Sequence, residues 1–205
     1  MDRMPEMTKS RREQLLLFSR NFFKHPRMLG SLIPSSRYLI DHLLRQVDWQ
    51  RARVIVEYGP GVGTITTEIL ERMRPDATLV VFELNEDFVQ FLKGSVPDPR
   101  LHVVHGSAEE VGAVLQRLGC GLADYVVSGI PFSTMPEEVR ESILRTTHEV
   151  LRPGGALLVY QFSAKVWPHL QKVFRHVDRD FEPRNVLPAW LFYARRKEAL
   201  QGTEH

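Results

Sequence analysis

Three glycines at alternate positions, Gly59, Gly61 and Gly63, follow the apolar run Arg53-Val54-Ile55-Val56-Glu57-Tyr58 and precede a helical pattern. Residues without a Cβ let a chain reverse tightly and let a ligand come down onto the backbone. Glu57 stands on the strand itself, either as a carboxylate facing that ligand or as a strand-end cap. A dinucleotide fingerprint has its last glycine three residues after the second. The pattern here is Glu-x-Gly-x-Gly-x-Gly, so a nicotinamide dinucleotide is disfavoured.

Such a turn works only if a buried strand and a helix hold it. From residue 53 onward, short β-branched runs alternate with helical patterns, the signature of βαβ units and a parallel sheet. Strands are predicted at 53–58, 78–83, 101–105, 123–128 and 155–161, with helices at 63–73, 86–93, 108–117 and 136–150. The last of these stops at Arg152-Pro153-Gly154-Gly155, which is read as a turn into the next strand. A helix at 164–175 and two extended segments at 176–182 and 188–195 complete the pattern. Two helices precede the sheet. One spans 9–24, with Leu15, Phe18 and Phe22 on a stripe flanked by Lys9, Arg11, Arg12, Arg20 and Lys24. The other starts at Pro34-Ser35-Ser36, where serine can cap a helix running to 46.

The 205 residues suit one α/β domain, because a single core saturates at roughly 250–300 residues. Residues 1–52 are read as an N-terminal helical extension and lid, and 53–205 as the core. The lone Cys120 cannot form an internal disulfide, and no Cys/His cluster has zinc spacing, so no metal is expected. No apolar run approaches the roughly 18 residues that span a bilayer. With no signal-peptide pattern at Met1, this points to the cytoplasm. Charge is uneven. Residues 1–53 hold 11 Lys/Arg against 5 Asp/Glu, whereas 54–164 hold 8 against 15. A basic segment joined to an acidic middle suits a polyanionic partner, nucleic acid or anionic lipid, or is a solvated face.

The strand-turn segment resembles the first motif of class I S-adenosylmethionine (SAM)-dependent methyltransferases, and the resemblance extends over 53–195. It implies a Rossmann-like α/β fold, with a seven-stranded mostly parallel sheet and helices on both faces. It also implies SAM as cofactor, with S-adenosylhomocysteine as product. The glycine turn then faces the methionyl part, and Glu83 in Val81-Phe82-Glu83-Leu84-Asn85 binds the ribose, since one carboxylate can accept from two vicinal hydroxyls. Ser107 and Ala108 occupy the place that addresses adenine. The full implied cofactor set is Ser36, Glu57, Gly59, Gly61, Gly63, Thr64, Glu83, Leu84, Ser107, Ala108 and Ser128.

Ser128-Gly129-Ile130-Pro131-Phe132 lies where adenine-methylating relatives carry Asn or Asp, a residue, Pro and an aromatic; Gly129 replaces the amide residue. The same segment resembles the Ser-Gly-Leu-Pro motif of bacterial phospholipid N-methyltransferases. Phe22 to Arg37, and Arg184-Asn185-Val186-Leu187-Pro188-Ala189-Trp190, resemble two further segments of that family, with Leu187 in place of a proline. This resemblance implies methylation of phosphatidylethanolamine toward phosphatidylcholine, by an enzyme held peripherally on the inner face of the cell membrane. Ser128, Gly129, Ile130 and Tyr160 are then the catalytic candidates, and Phe132, Tyr160, Arg184, Asn185 and Trp190 the substrate-binding ones. Arg184 would clamp the phosphate through paired N–H donors. Tyr160, Phe132 and Trp190 would enclose the ammonium by cation–π attraction of about 0.5–2 kcal/mol each, unless they pack the core. The helix at 9–24 would lie among anionic headgroups or pack as a lid.

Methyl transfer depends on alignment more than on acid–base machinery, and Tyr160 or His148 is a candidate proton acceptor. Three other readings fit part of the pattern: methylation of RNA adenine, methylation of a small amine or phenol, and a SAM- or lipid-binding module without turnover.

Overall fold

Strand β1 (Val54–Tyr58) is apolar almost throughout and shows no polar alternation, as a strand covered on both faces must be. In the computed structural model, which describes residues 35–197, it is an interior strand, third in a seven-stranded sheet. The other strands are β2 (Thr78–Glu83), β3 (Leu101–His105), β4 (Ala123–Ser128), β5 (Leu151–Gln161), β6 (His176–Glu182) and β7 (Ala189–Arg195). Their order is β3-β2-β1-β4-β5-β7-β6. The first five are parallel, and β7 runs antiparallel to both of its neighbours.

Alternation along the strands feeds two apolar layers. On one face Ile55, Leu79, Val127 and Leu158 meet α1 (Arg37–Leu44), α2 (Thr64–Arg72) and Leu92 of α3 (Glu86–Ser95). On the other, Val56, Val80, Val126 and Leu157 meet α4 (Val111–Arg117), α5 (Glu137–Val150) and α6 (Trp167–Val173). Two of the helices, α1 and α3, begin where a short polar side chain accepts an orphan amide. Ser36 Oγ accepts from the Leu39 amide at 3.2 Å, and Asn85 Oδ1 from the Asp87 amide at 2.9 Å. α1 belongs to the core layer, with Leu39, Leu43 and Leu44 fully buried.

The elements fall where the pattern predicts them, with four differences, the first being that the predicted helix at 108–117 divides into a tight turn, Ala108–Glu110, and α4. The predicted helix to 46 ends at Leu44, and the predicted helix at 164–175 divides into a tight turn, Ala164–Val166, and α6. The segment Arg152-Pro153-Gly154-Gly155 is not a turn before β5 but lies inside it. Leu151 pairs with Ala123, the register slips before Tyr125, and Gly154 takes φ 77°. The Gly154 amide donates to the Arg196 carbonyl at 3.0 Å, and the Arg196 amide to that of Gly155 at 2.9 Å. A β-bulge thus does what proline and glycine suggested a turn would do. The helix predicted at 9–24, and residues 22–34 of the basic-Pro segment, lie outside the described residues. Among the described residues no helix is long and apolar enough to cross a membrane.

At the bulge, a Cβ on Gly155 would stand 2.8 Å from the Asp124 carbonyl oxygen and 2.9 Å from that of Arg152, both backbone atoms. Gly155→Ala is therefore expected to cost about 1–3 kcal/mol by overpacking and to lower Tm by roughly 3–10 °C, read by calorimetry. An unchanged Tm would show that the bulge relaxes freely.

Candidate active site

The strand order reverses at β1. Chain leaving β1 turns toward β2, whereas β4 lies on the other side, so a crevice opens at their carboxyl ends. Gly59, Gly61 and Gly63 line it with φ of 69°, 55° and 81°, all in the left-handed region. The ladder continues past the strand ends. The Gly59 amide donates to the Phe82 carbonyl at 2.9 Å, and the Gly129 amide to the Tyr58 carbonyl at 3.0 Å. A Cβ on Gly59 would lie 2.7 Å from Ile130 Cγ2, and one on Gly63 2.6 Å from Leu92 Cδ2. Glycine is thus demanded both by backbone angle and by the approach of two other segments.

Two buried carboxylates stand behind this turn. Glu83 ends β2; its Oε2 accepts from the Gly61 amide at 3.2 Å and its Oε1 from the Asn85 amide at 2.9 Å. Burial raises its pKa, and the amides of Asn85 and Gly61 oppose the rise by favouring the anion. Glu57 lies deeper. Burial pushes it up to about 7, against the Thr66 hydroxyl, which donates to it at 2.7 Å, and with help from the neighbouring charge of Glu83. Negative groups behind a glycine turn suit a ligand carrying positive charge and hydroxyls.

At the end of β4, Ser128 Oγ is fully buried and has no partner among the described residues. Beside it, Gly129 leaves room for Tyr160. A Cβ at 129 would be 2.7 Å from the phenol oxygen. The Tyr160 hydroxyl bonds the side chain of Ser35, and burial first, then the nearby Glu57 charge, raises its pKa. Gln161 Nε2 donates to the Ile130 carbonyl at 2.7 Å and fixes the turn. The geometry therefore gathers Glu57, Gly59, Gly61, Gly63, Glu83, Ser128, Gly129, Ile130 and Tyr160. These residues fit SAM: an orphan hydroxyl, a glycine turn and a carboxylate at the ribose place. No metal-holding group of His, Cys, Asp and Glu occurs among the described residues.

Other predicted residues stand elsewhere or are already engaged. Thr64 opens α2 and Leu84 follows Glu83, both half-buried at the crevice margin. Ser36 Oγ caps α1, and Ser107 Oγ caps the turn Ala108–Glu110 by accepting from the Glu109 amide at 3.2 Å. The expected three-ring enclosure of an ammonium is not assembled. Phe132 is 0% exposed, a core residue. Trp190 joins the apolar layer on the opposite face of the sheet from Tyr160, because strand alternation sends them apart. The paired Arg184 donors expected to grip a phosphate grip Glu182 instead, at 2.9 and 3.1 Å. Asn185 Oδ1 accepts from the Ser36 amide at 2.8 Å and so ties the β6–β7 turn to α1. His148 packs edge-on against Phe174 at 5.2 Å, in the helical layer on the far face.

Sequence reasoning missed Ser35, Thr66 and Gln161 as supports of the site. The only signal for Gln161 is an amide that closes the apolar run Ala156-Leu157-Leu158-Val159-Tyr160 and is buried with it. It also missed a charged staple beneath Arg184. Glu182 is 1% exposed and contacts His42 Nδ1 at 2.9 Å, and His42 Nε2 lies 2.9 Å from Asp180. The Arg184 guanidinium, with His42 in support, holds Glu182 at about 2. No sequence spacing announces a contact across 140 positions.

The family model for ribosomal RNA adenine dimethylase matches residues 23–110. An ornithine lipid N-methyltransferase from Singulisphaera acidiphila is 35% identical over 187 residues, covering 89% of this chain and 96% of that protein. Among solved structures, a 1,6-didemethyltoxoflavin-N1-methyltransferase from Burkholderia thailandensis, with S-adenosylhomocysteine bound, superposes with TM-score 0.63 at 16% identity. The match spans 97% of this chain and 94% of that one. An N-methyltransferase from Bradyrhizobium japonicum gives 0.61 at 13%, over 79% and 96%. At these identities the two structures establish the fold.

Two measurements test the carboxylates. Glu83→Ala is expected to weaken SAM binding about 10- to 100-fold by calorimetry, the loss of charge-assisted hydrogen bonds of about 1.5–3 kcal/mol. Undiminished affinity would remove the ribose role. Glu57 binds its proton more tightly folded than unfolded, so it lowers stability progressively as pH rises from its ordinary 4.5 through about 7. At roughly 1.4 kcal/mol per pKa unit this amounts to about 3 kcal/mol. In urea titrations Glu57→Gln should lack that decline, and an identical slope in both proteins would contradict it.

Proposed function

The chain belongs to the class I SAM-dependent methyltransferases, and from that premise we propose that it methylates the primary amine of a membrane aminolipid. The reading is supported most by one contact, the Tyr160 hydroxyl lying where a side chain at 129 would begin. A planar adenine needs an amide side chain to align its exocyclic nitrogen; here backbone carbonyls and a phenol oxygen stand in that place. An aliphatic ammonium, tetrahedral and rich in donors, suits such acceptors. The 35% identical relative, an ornithine lipid N-methyltransferase, makes ornithine lipid the first substrate to test. Phosphatidylethanolamine, carried toward phosphatidylcholine, is the second.

SAM supplies an electrophilic methyl group on a sulfonium. Everything else falls to the chain. Glu83 and the glycine turn orient the donor, and the end of β4 brings the nitrogen in line at about 3–3.5 Å. Before attack the ammonium, with an ordinary pKa of about 10.4, must give a proton to solvent as it enters the crevice, and removal from water favours that loss. Tyr160, kept protonated by its burial, accepts one N–H of the resulting amine through a lone pair. The enzyme acts peripherally at the inner face of the membrane, where its substrate resides.

A second reading, methylation of RNA adenine, is favoured by the family model over 23–110 and by the Ile130-Pro131-Phe132 turn. Labelled SAM offered with aminolipid vesicles and ribosomal RNA side by side separates the two. Label is expected in ornithine lipid or phosphatidylethanolamine, and label in RNA alone would replace the proposal. Gly129→Asn, which drives a side chain into Tyr160, should lower kcat/KM for the lipid at least about tenfold, about 1.4 kcal/mol, with SAM affinity near wild type.

A further inference from the structure

An aminolipid reaches the crevice only if the surface around its mouth touches the bilayer, because the acyl chains stay in hydrocarbon. Of the large apolar side chains exposed among the described residues, five lie at or beside the carboxyl end of the sheet: Phe162, Val186 and Leu187 in its connections, Tyr38 on the α1 face and Phe181 on the opposite, Trp190 face. Single exposed apolar residues carry no message, but a cluster of them does.

The register shows why they meet. Phe181 and Gln161 both pair with Trp190, so Phe162 leaves β5 beside the end of β6. Val186 and Leu187 belong to the turn joining β6 to β7, at the same carboxyl end of the sheet as Ser128 and Tyr160. Tyr38 joins them through Arg184, whose guanidinium carbon lies 4.4 Å above its ring. Asn185 of this turn holds the Ser36 amide, one residue from the Ser35 partner of Tyr160. Cations frame the patch. Arg179 lies 5.1 Å from the Trp167 ring and 5.8 Å from that of Trp190, and Lys165 is exposed nearby in sequence to Phe162. Aromatic rings and aliphatic tips beside guanidinium groups make a surface for the depth of lipid headgroups, where apolar parts enter and charges remain wet.

We propose that the β6–β7 turn, with Phe162 and Tyr38 beside it, docks into the headgroup layer of the bilayer and presents the crevice to the lipid amine. The proposal rests on the aminolipid reading and adds the element that makes contact. It is distinct from any contribution of residues 9–24.

The test uses the full-length protein and vesicles of phosphatidylethanolamine with phosphatidylglycerol. The double variant V186D/L187D is compared with L118D/L122D, which removes two other exposed apolar residues near the opposite, amino end of β4. Vesicle affinity should fall about tenfold or more in the turn variant alone, the effect of withdrawing two apolar side chains from lipid. Its SAM affinity, and its turnover of a short-chain aminolipid dispersed as monomers, should stay at wild-type level. Equal vesicle affinity in both variants would overturn the docking site. So would a turn variant that binds vesicles normally but changes from dimer to monomer by light scattering, which would make the patch a contact between copies. Failure of the underlying reading registers separately, as wild-type protein that transfers no label to the monomeric aminolipid.

Discussion

At the ends of β1 and β4 two glycines each give way to a side chain of a neighbouring segment. Gly59 faces Ile130, and Gly129 faces Tyr160, at distances that a Cβ would violate. The crevice depends on this double approach. It brings the glycine turn after β1 against the end of β4. The amide of Gly129 bonded to the Tyr58 carbonyl keeps the two in register. Catalysis by alignment needs such stiffness, since a misplacement of about 1 Å can cost about two orders of magnitude in rate.

Electrostatics follow from the same arrangement. Burial makes both Glu57 and Glu83 reluctant anions, and each compensates through donors that the fold places on it: Thr66 for Glu57, the amides of Gly61 and Asn85 for Glu83. A cationic sulfonium arriving nearby favours their ionised forms. Perturbed carboxylates of this kind cluster at functional sites.

Most of the fold was legible because short β-branched runs at 53–58, 78–83, 101–105 and 123–128 alternate with helical patterns, and nothing competes with that signal. The bulge at Arg152-Pro153-Gly154-Gly155 was not, since proline and glycine mark a turn and a kinked strand alike. The glycine turn and Glu83 were legible through spacing. The aromatic enclosure misled because composition does not tell which face of the sheet a ring takes; one position of alternation separates Tyr160 from Trp190. Arg184 misled for a different reason. Its partner Glu182 was two residues away in the sequence, but only the burial of that carboxylate, with His42 behind it, commits the guanidinium.

The tie between Asn185 and the Ser36 amide joins residues 149 positions apart. During synthesis the helix that opens at Arg37 must wait until Asn185 has left the ribosome before that latch can close. Contacts of this sequence separation are slow to form, because loop closure must precede any reward. The partly made chain therefore carries a glycine turn and its carboxylates without the hairpin that braces Ser35 and Tyr160. The brace between α1 and the last hairpin is thus made after every strand that carries the glycine turn and Glu83 already exists.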